Sequence, residues 1–249
     1  MKRRLESLNG FTIGGTDGEI GKVKEFYFDD DSWTVRYIIV ETGSWLFGRK
    51  VLLSPHAVTK TDWEEKVFMV NLTMEQIKNS PNIDTDKPVS RQHERALYGY
   101  YPWGDYYWGG GMGMGMGMLY PIAMNHPIQN EANGFVDDTS DDDPRLRSTD
   151  KVTGYNIKAT DGEIGDVEDF IINDSNWRID FLLVDTGNWF PDKKVLIAPK
   201  MIKEINWETS TVIVNATEDK VKNSPEYQPS EELSESYEAN LQNYYGRFI

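Results

Sequence analysis

With 249 residues, 26 of them basic and 41 acidic, the chain carries a formal net charge of −15 and repels phosphate and anionic surfaces. Duplex nucleic acid is held through a basic, counterion-releasing footprint, and no Lys/Arg cluster of that kind occurs, which excludes this partner class. With no cysteine in the sequence, disulfides, Cys-ligated zinc and thiol catalysis are excluded as well.

The opening "MKRRLESLNGFTIGG" has a basic tip but no apolar core of signal-peptide length, and no run reaches the ~18–20 apolar residues of a membrane span. A cytoplasmic location is expected, peripheral to the inner membrane only through a partner. The first structural signal is "TDGEIG" at 16–21. Asp17-Gly18 is the dipeptide of a type I′ hairpin turn, which needs positive φ, and Gly21 marks a bulge or the close approach of another strand. "KVKEFYFD", "WTVRYIIV", "KVLLSP" and "KVFMVNL" then read as short strands, rich in β-branched and aromatic residues and bounded by turn residues. In "TMEQIKNSP", Thr73 stands three residues before Gln76, as in a capping box, which predicts one short helix ending near Pro81. Val89, His93, Leu97 and Tyr100 recur at helical spacing. They predict an amphipathic tail helix that buries its stripe on its own barrel, on the sister unit or on a partner.

Each of these signals is written twice. "TDGEIGDVEDF" at 160–170 answers "TDGEIGKVKEF" at 16–26, and the register holds without a gap from Gly10 and Gly154 to Tyr101 and Tyr245. Asp161, Gly162 and Gly165 take the places of Asp17, Gly18 and Gly21. Trp177, Trp189, Trp207, Leu241 and Tyr244 take those of Trp33, Trp45, Trp63, Leu97 and Tyr100. A fixed register over about 90 residues is a domain duplication. The predicted fold is mainly β: two small antiparallel barrels, each followed by a short helix and an amphipathic tail helix. The units occupy residues 1–101 and 154–249, joined by 102–153.

The connecting segment holds the low-complexity "PWGDYYWGGGMGMGMGMLYP" and the acidic "DDTSDDDP". The first reads as a flexible linker. Docking or self-association through its aromatics, and copper(I) binding by Met112, Met114, Met116 and Met118, are the alternatives. The second fails as an EF-hand loop started at Asp137, because Asp142 and Ser148 stand where Gly and Glu are required, and it reads as a solvated connection. His56, His93 and His126 lie in unrelated contexts without a second histidine at metal-ligand spacing. No Ser-His-Asp or lysine-centred constellation emerges. Thus no catalytic residue, metal or cofactor is assigned and a non-enzyme is expected, with an active site between the barrels as the alternative.

The ordered set "DGEIG" (Asp17–Gly21, Asp161–Gly165), "YIIVETG" with "FLLVDTG", and "VLLSP" with "VLIAP" resembles the PRC-barrel family. That family includes the cytoplasmic domain of the photosynthetic reaction-centre H subunit and the C-terminal domain of the ribosome-maturation factor RimM. The resemblance implies a small β-barrel used as an interaction module, here in tandem, with no catalytic motif to carry over. The function expected from it is a non-enzymatic scaffold or adaptor docking on a membrane-associated photosynthetic or electron-transfer complex. A self-assembling stress-related or surface-associated protein is the alternative. Trp33 and Trp177, large aromatics at repeated positions, are expected in the barrel cores. The candidate contact residues are Trp45 and Trp189, in the loop after "TG", with Leu97, Tyr100, Leu241 and Tyr244. Sister-barrel packing or a homo-oligomer completes the partner expectations.

Overall fold

The computed structural model describes residues 1–81, 100–101, 145–187, 193–228 and 233–246. The first unit contributes β1 (Lys2–Arg4), β2 (Thr12–Gly14), β3 (Glu19–Asp29), β4 (Thr34–Thr42), β5 (Lys50–Leu53), β6 (Val58–Asp62), β7 (Val67–Val70) and helix α1 (Met74–Lys78). The second contributes β8 (Leu146–Ser148), α2 (Thr149–Val152), β9 (Asn156–Lys158), β10 (Glu163–Asn173), β11 (Arg178–Asp185) and β12 (Lys194–Ile197). It continues with β13 (Ile202–Asn206), β14 (Thr211–Val214), α3 (Glu218–Lys222) and the tail helix α4 (Glu235–Tyr245). In each unit the two long strands contribute the largest share of the buried core side chains. Tyr37, Ile38, Ile39 and Val40 of β4 are all 0 % exposed, because this strand has pairing partners on both sides and core on both faces.

Within the first unit the neighbours run β5, β4, β3, β2, β7, β6, and the path stays open between β5 and β6. The pairings are antiparallel except β2 with β7, which is parallel, as is its counterpart β9 with β14. Pairing Ile13 with Gly21 and Gly14 with Glu19 leaves Ile20 bulged, and the same irregularity surrounds Ile164 in β10. Both isoleucines point into the core, at 0 % and 1 % exposure. The following glycine, Gly21 or Gly165, lies against the backbone of the next strand, where a Cβ would overlap the carbonyl of Glu41 or Asp185.

The "TDG" turn departs from the hairpin geometry expected of Asp-Gly. Neither Gly18 nor Gly162 has positive φ, so the turn is not type I′. The helix behind it decides its shape. Asp17 Oδ1 accepts the N–H of Met74 at 2.8 Å, and Asp161 Oδ1 that of Glu218 at 2.8 Å, so each aspartate caps the first turn of a helix 57 residues on. A Cβ on Gly18 would stand 2.9 Å from the Met74 sulfur, and one on Gly162 would overlap the Glu218 carboxylate. At both positions the added atom would meet the movable end of a helix side chain and not backbone. The capping box of α1 adds Gln76 N–H to Thr73 Oγ1 at 3.1 Å and Thr73 N–H to Gln76 Oε1 at 2.8 Å. Asp17→Ala is expected to lower the unfolding free energy by about 0.5–1 kcal/mol, read as a shifted urea midpoint at unchanged slope.

The tail helix α4 packs on its own unit. Leu241 and Tyr245 are buried, Tyr237 donates its hydroxyl to the Pro225 carbonyl at 2.9 Å, and Tyr244 to that of Lys220 at 2.7 Å. Of the corresponding first-unit segment, Tyr100 and Tyr101 are described, and Tyr100 makes the equivalent bond to the Gln76 carbonyl at 2.8 Å. Burial pushes the Tyr101 and Tyr245 hydroxyls up to about 12, so both stay protonated at physiological pH.

Candidate functional site

The first strand of each unit leaves its own unit and completes the other. β1 pairs with β10, setting Lys2, Arg3 and Arg4 opposite Asn173, Ile172 and Ile171. β8 pairs with β3, setting Leu146, Arg147 and Ser148 opposite Asp29, Phe28 and Tyr27. The two registers coincide once the repeat offset is applied. At the outer ends Asp174 N–H donates to the Met1 carbonyl at 2.9 Å, and Asp30 N–H to that of Arg145 at 2.8 Å. Residues 146–152, expected in the connecting segment, therefore open the second unit. Arg3 and Arg147 are the only identical pair among the three exchanged positions, so similarity fades there before the structure does.

Between the arms, β4 and β11 meet at Thr34 and Arg178. Val35 N–H donates to the Trp177 carbonyl at 2.8 Å, and Ile179 N–H to that of Trp33 at 2.7 Å. Both tryptophans hold left-handed backbone, φ 54 and 58, a conformation that costs a bulky residue on the order of 1–3 kcal/mol and persists only where its surroundings over-determine it. Here the over-determining contacts come from both units, since each tryptophan N–H bonds within its own turn, to the carbonyl of Asp29 or Asn173 at 2.8 Å, while its carbonyl bonds across the boundary. The Trp177 ring reaches Phe68 (5.8 Å between centroids) and Phe26 (6.3 Å), and Phe28 meets Phe170 at 5.5 Å. Trp33 is buried and stacks on Phe28 at 5.4 Å. One core thus crosses the boundary.

Arg3 and Arg147 rivet the arms in place. Arg3 Nε donates to Asp174 of the second unit at 2.9 Å while its guanidinium lies 3.5 Å above the ring of Trp63 in the first. Arg147 mirrors this, with Asp30 at 2.8 Å and the Trp207 ring at 3.8 Å. Each side chain combines an ion pair with cation–π contact and so ties both units together.

The two half-seams differ in charge. Arg4 Nε donates to Asp169 Oδ2 at 2.8 Å, and Asp169 Oδ1 accepts the N–H groups of Glu6 (3.0 Å) and Phe170 (2.7 Å). Asp169 is 3 % exposed, and burial raises its pKa even against these donors. Its counterpart Glu25 accepts the Ser148 hydroxyl at 2.5 Å. Burial raises Glu25 too, and the charge of Asp150 adds to the shift. A cavity of about 300 Å³ lies between the units, with Phe26 and Phe170 among its walls and Glu6, Asp150, Glu168 and Asp169 at its edge. Arg4 also pairs with Glu6 and Glu168, and Lys194 with Glu168, so this edge is tied into the fastening of the arm.

Away from the seam, Trp45 sits in a 3-10 turn, Ser44–Leu46, with its indole N–H on the Ile20 carbonyl at 2.8 Å. Phe47 follows at φ 58 and is 97 % exposed. Trp189 and Leu97 lie outside the described residues, as do His93, His126 and the four alternating methionines. Of the other candidates, Tyr100 is 38 % exposed, Tyr244 half-buried, and Leu241 wholly within the core. Among the described residues no group of His, Asp or Glu side chains is arranged to hold a metal ion, and no helix is long and apolar enough to cross a membrane. The arm contacts were not foreseen. Arg3/Arg147, Asp30/Asp174 and Trp63/Trp207 all keep their identity across the repeat, a signal present in the sequence, but nothing local shows that the arginine faces the other unit.

Two copies of an open six-stranded unit, each completed by a strand of the other, define a tandem, strand-exchanged β protein. A family model for the PRC-barrel domain matches residues 2–77 and 150–221, more than half of the chain, and the protein belongs to the PRC-barrel family. This family's domains are protein-interaction modules. No curated protein matches the sequence.

Proposed function

We propose that the chain is a non-enzymatic interaction scaffold, a single two-barrel body that presents the loop after "TG" in each unit to a protein partner. The observation that carries this reading is Phe47. A phenylalanine exposed to 97 % on an ordered turn, beside a tryptophan pinned by its own indole N–H, leaves an apolar contact in water that a partner would bury. By repeat position Trp189 is the corresponding candidate in the second unit, and Tyr100, 38 % exposed with its hydroxyl on the Gln76 carbonyl, is a further one. Leu241 anchors the tail helix from within and leaves contact with the partner to Tyr244.

The family resemblance points to a membrane-associated photosynthetic or electron-transfer complex as the partner, approached from the cytoplasmic side. A net charge of −15 favours a basic protein surface over anionic lipid, so attachment runs through protein. Immobilised wild-type chain and the variants Trp45→Ala/Trp189→Ala and Phe47→Ser would be exposed to detergent-solubilised membranes. Recovery of the partner is expected to fall by about tenfold or more in each variant. Unchanged recovery would remove these side chains from the contact.

A further inference from the structure

Two of the three exchanged positions are chemically unlike in the two units: Lys2 against Leu146, and Arg4 against Ser148. The cationic arm lies where the second unit is acidic. Lys2 Nζ reaches Asp180 at 3.1 Å and Glu238 of the tail helix at 2.6 Å, while Arg4 holds Asp169. The other arm, charged only at Arg147, lies where the first unit offers Arg36 in place of Asp180, Asp29 in place of Asn173 and Glu25 in place of Asp169, with Glu94 at the sequence position of Glu238. The parts that do not discriminate are shared: identical strand register, the Arg3 and Arg147 rivets on Asp174 and Asp30, and the paired tryptophan carbonyls.

Any unit could therefore accept any arm by shape, and charge sorts the combinations. A Lys2 arm on another first unit would exchange Asp180 for Arg36, which Asp29 already holds at 3.4 Å, and Arg4 would exchange Asp169 for Glu25, so the discrimination is the weaker on this side. A Ser148 arm on another second unit would leave buried Asp169 without its guanidinium. We propose that the seam is a self-standing recognition interface through which a first unit takes a second unit as its partner. Within one chain that partner is its own second unit; when the units are disconnected it is that of a second copy, with Lys2 and Arg4 selecting second units over first ones. This pairing is independent of the outward contact argued above, since it uses none of its residues.

The test keeps the whole protein. A protease site is inserted after residue 125, and the chain is folded and then cut. At micromolar concentration the cut protein is expected to run in size-exclusion chromatography with light scattering as one species of the intact mass. Cut protein of natural and of heavy isotope composition is next unfolded in urea, mixed and refolded. Native mass spectrometry is expected to find light and heavy halves freely mixed in first–second pairs, with first–first and second–second pairs about tenfold rarer or less. Lys2→Glu should weaken the cut pair by on the order of tenfold, and adding Asp180→Lys should restore it. Halves that separate on cutting, or that re-pair in statistical proportion regardless of type, would overturn the proposal.

Discussion

Gly165→Ala is expected to leave little or no folded protein at 37 °C. The new Cβ would overlap the carbonyl of Asp185, a backbone atom fixed in the next strand, and the site has φ +152, which L side chains rarely adopt. Neither conflict can be relieved by turning a side chain. The loss should exceed about 4 kcal/mol, a large part of the 5–15 kcal/mol that holds a typical domain together. Gly21→Ala meets the Glu41 carbonyl in the same way but without positive φ, so it should be the milder of the two. Thermal unfolding followed by circular dichroism ranks them, and a Gly165→Ala protein melting within a few degrees of wild type would contradict the close approach described for β10.

Arg4→Leu should carry the second-largest cost, about 3 kcal/mol at neutral pH, because it strands Asp169, 3 % exposed, without its cation. The pH dependence identifies the cause. Burial already raises the pKa of Asp169 in the folded protein, so the native state binds that proton more tightly than the unfolded chain does. Its ionisation consequently costs stability as pH rises through the carboxyl range, and that cost is relieved as pH falls. Without Arg4 the folded pKa climbs further. The deficit of Arg4→Leu relative to wild type should then shrink steadily as pH is lowered from 7 towards 5. Adding Asp169→Asn should recover much of the loss at pH 7, since the amide keeps an acceptor for the Glu6 and Phe170 N–H groups without a charge. A deficit that does not change with pH would mean that Arg4 acts through packing alone.

The elements that could be read from sequence are those whose signals are local. "WTVRYIIV" and "WRIDFLLV" announce β4 and β11 through β-branched and aromatic residues, and Thr73 with Gln76 announces α1 through its cap. The exchanged arms could not be read in this way. Three residues with charged side chains carry no strand pattern, and what makes Lys2–Arg4 a strand is an edge of β10 more than 160 residues away. The parallel pairing of β2 with β7 has no local signature either. Asp17-Gly18 shows the opposite failure: a strong local turn signal was overruled by the N-terminus of a helix that arrives from Met74. Trp33 and Trp177 were recognisable as large repeated aromatics, but nothing local shows that both carbonyls, and the ring of Trp177, engage the neighbouring unit. In the candidate contact surface Trp45 was legible from its repeat partner, whereas Phe47, which the repeat replaces with Pro191, was not.

The exchanged arms also bear on how the protein is made. On the edge of β3 away from β4, β2 covers Glu19–Lys22 and the far end, Tyr27–Asp29, is paired by β8. A first unit emerging from the ribosome thus carries an open strand end beside Phe26 and Phe28 until residues 146–148 have been synthesised. At about 5–20 residues per second that interval lasts a few seconds. During it that strand end is an unpaired edge, the kind of template on which another chain can pair, and the arrival of β8 closes it.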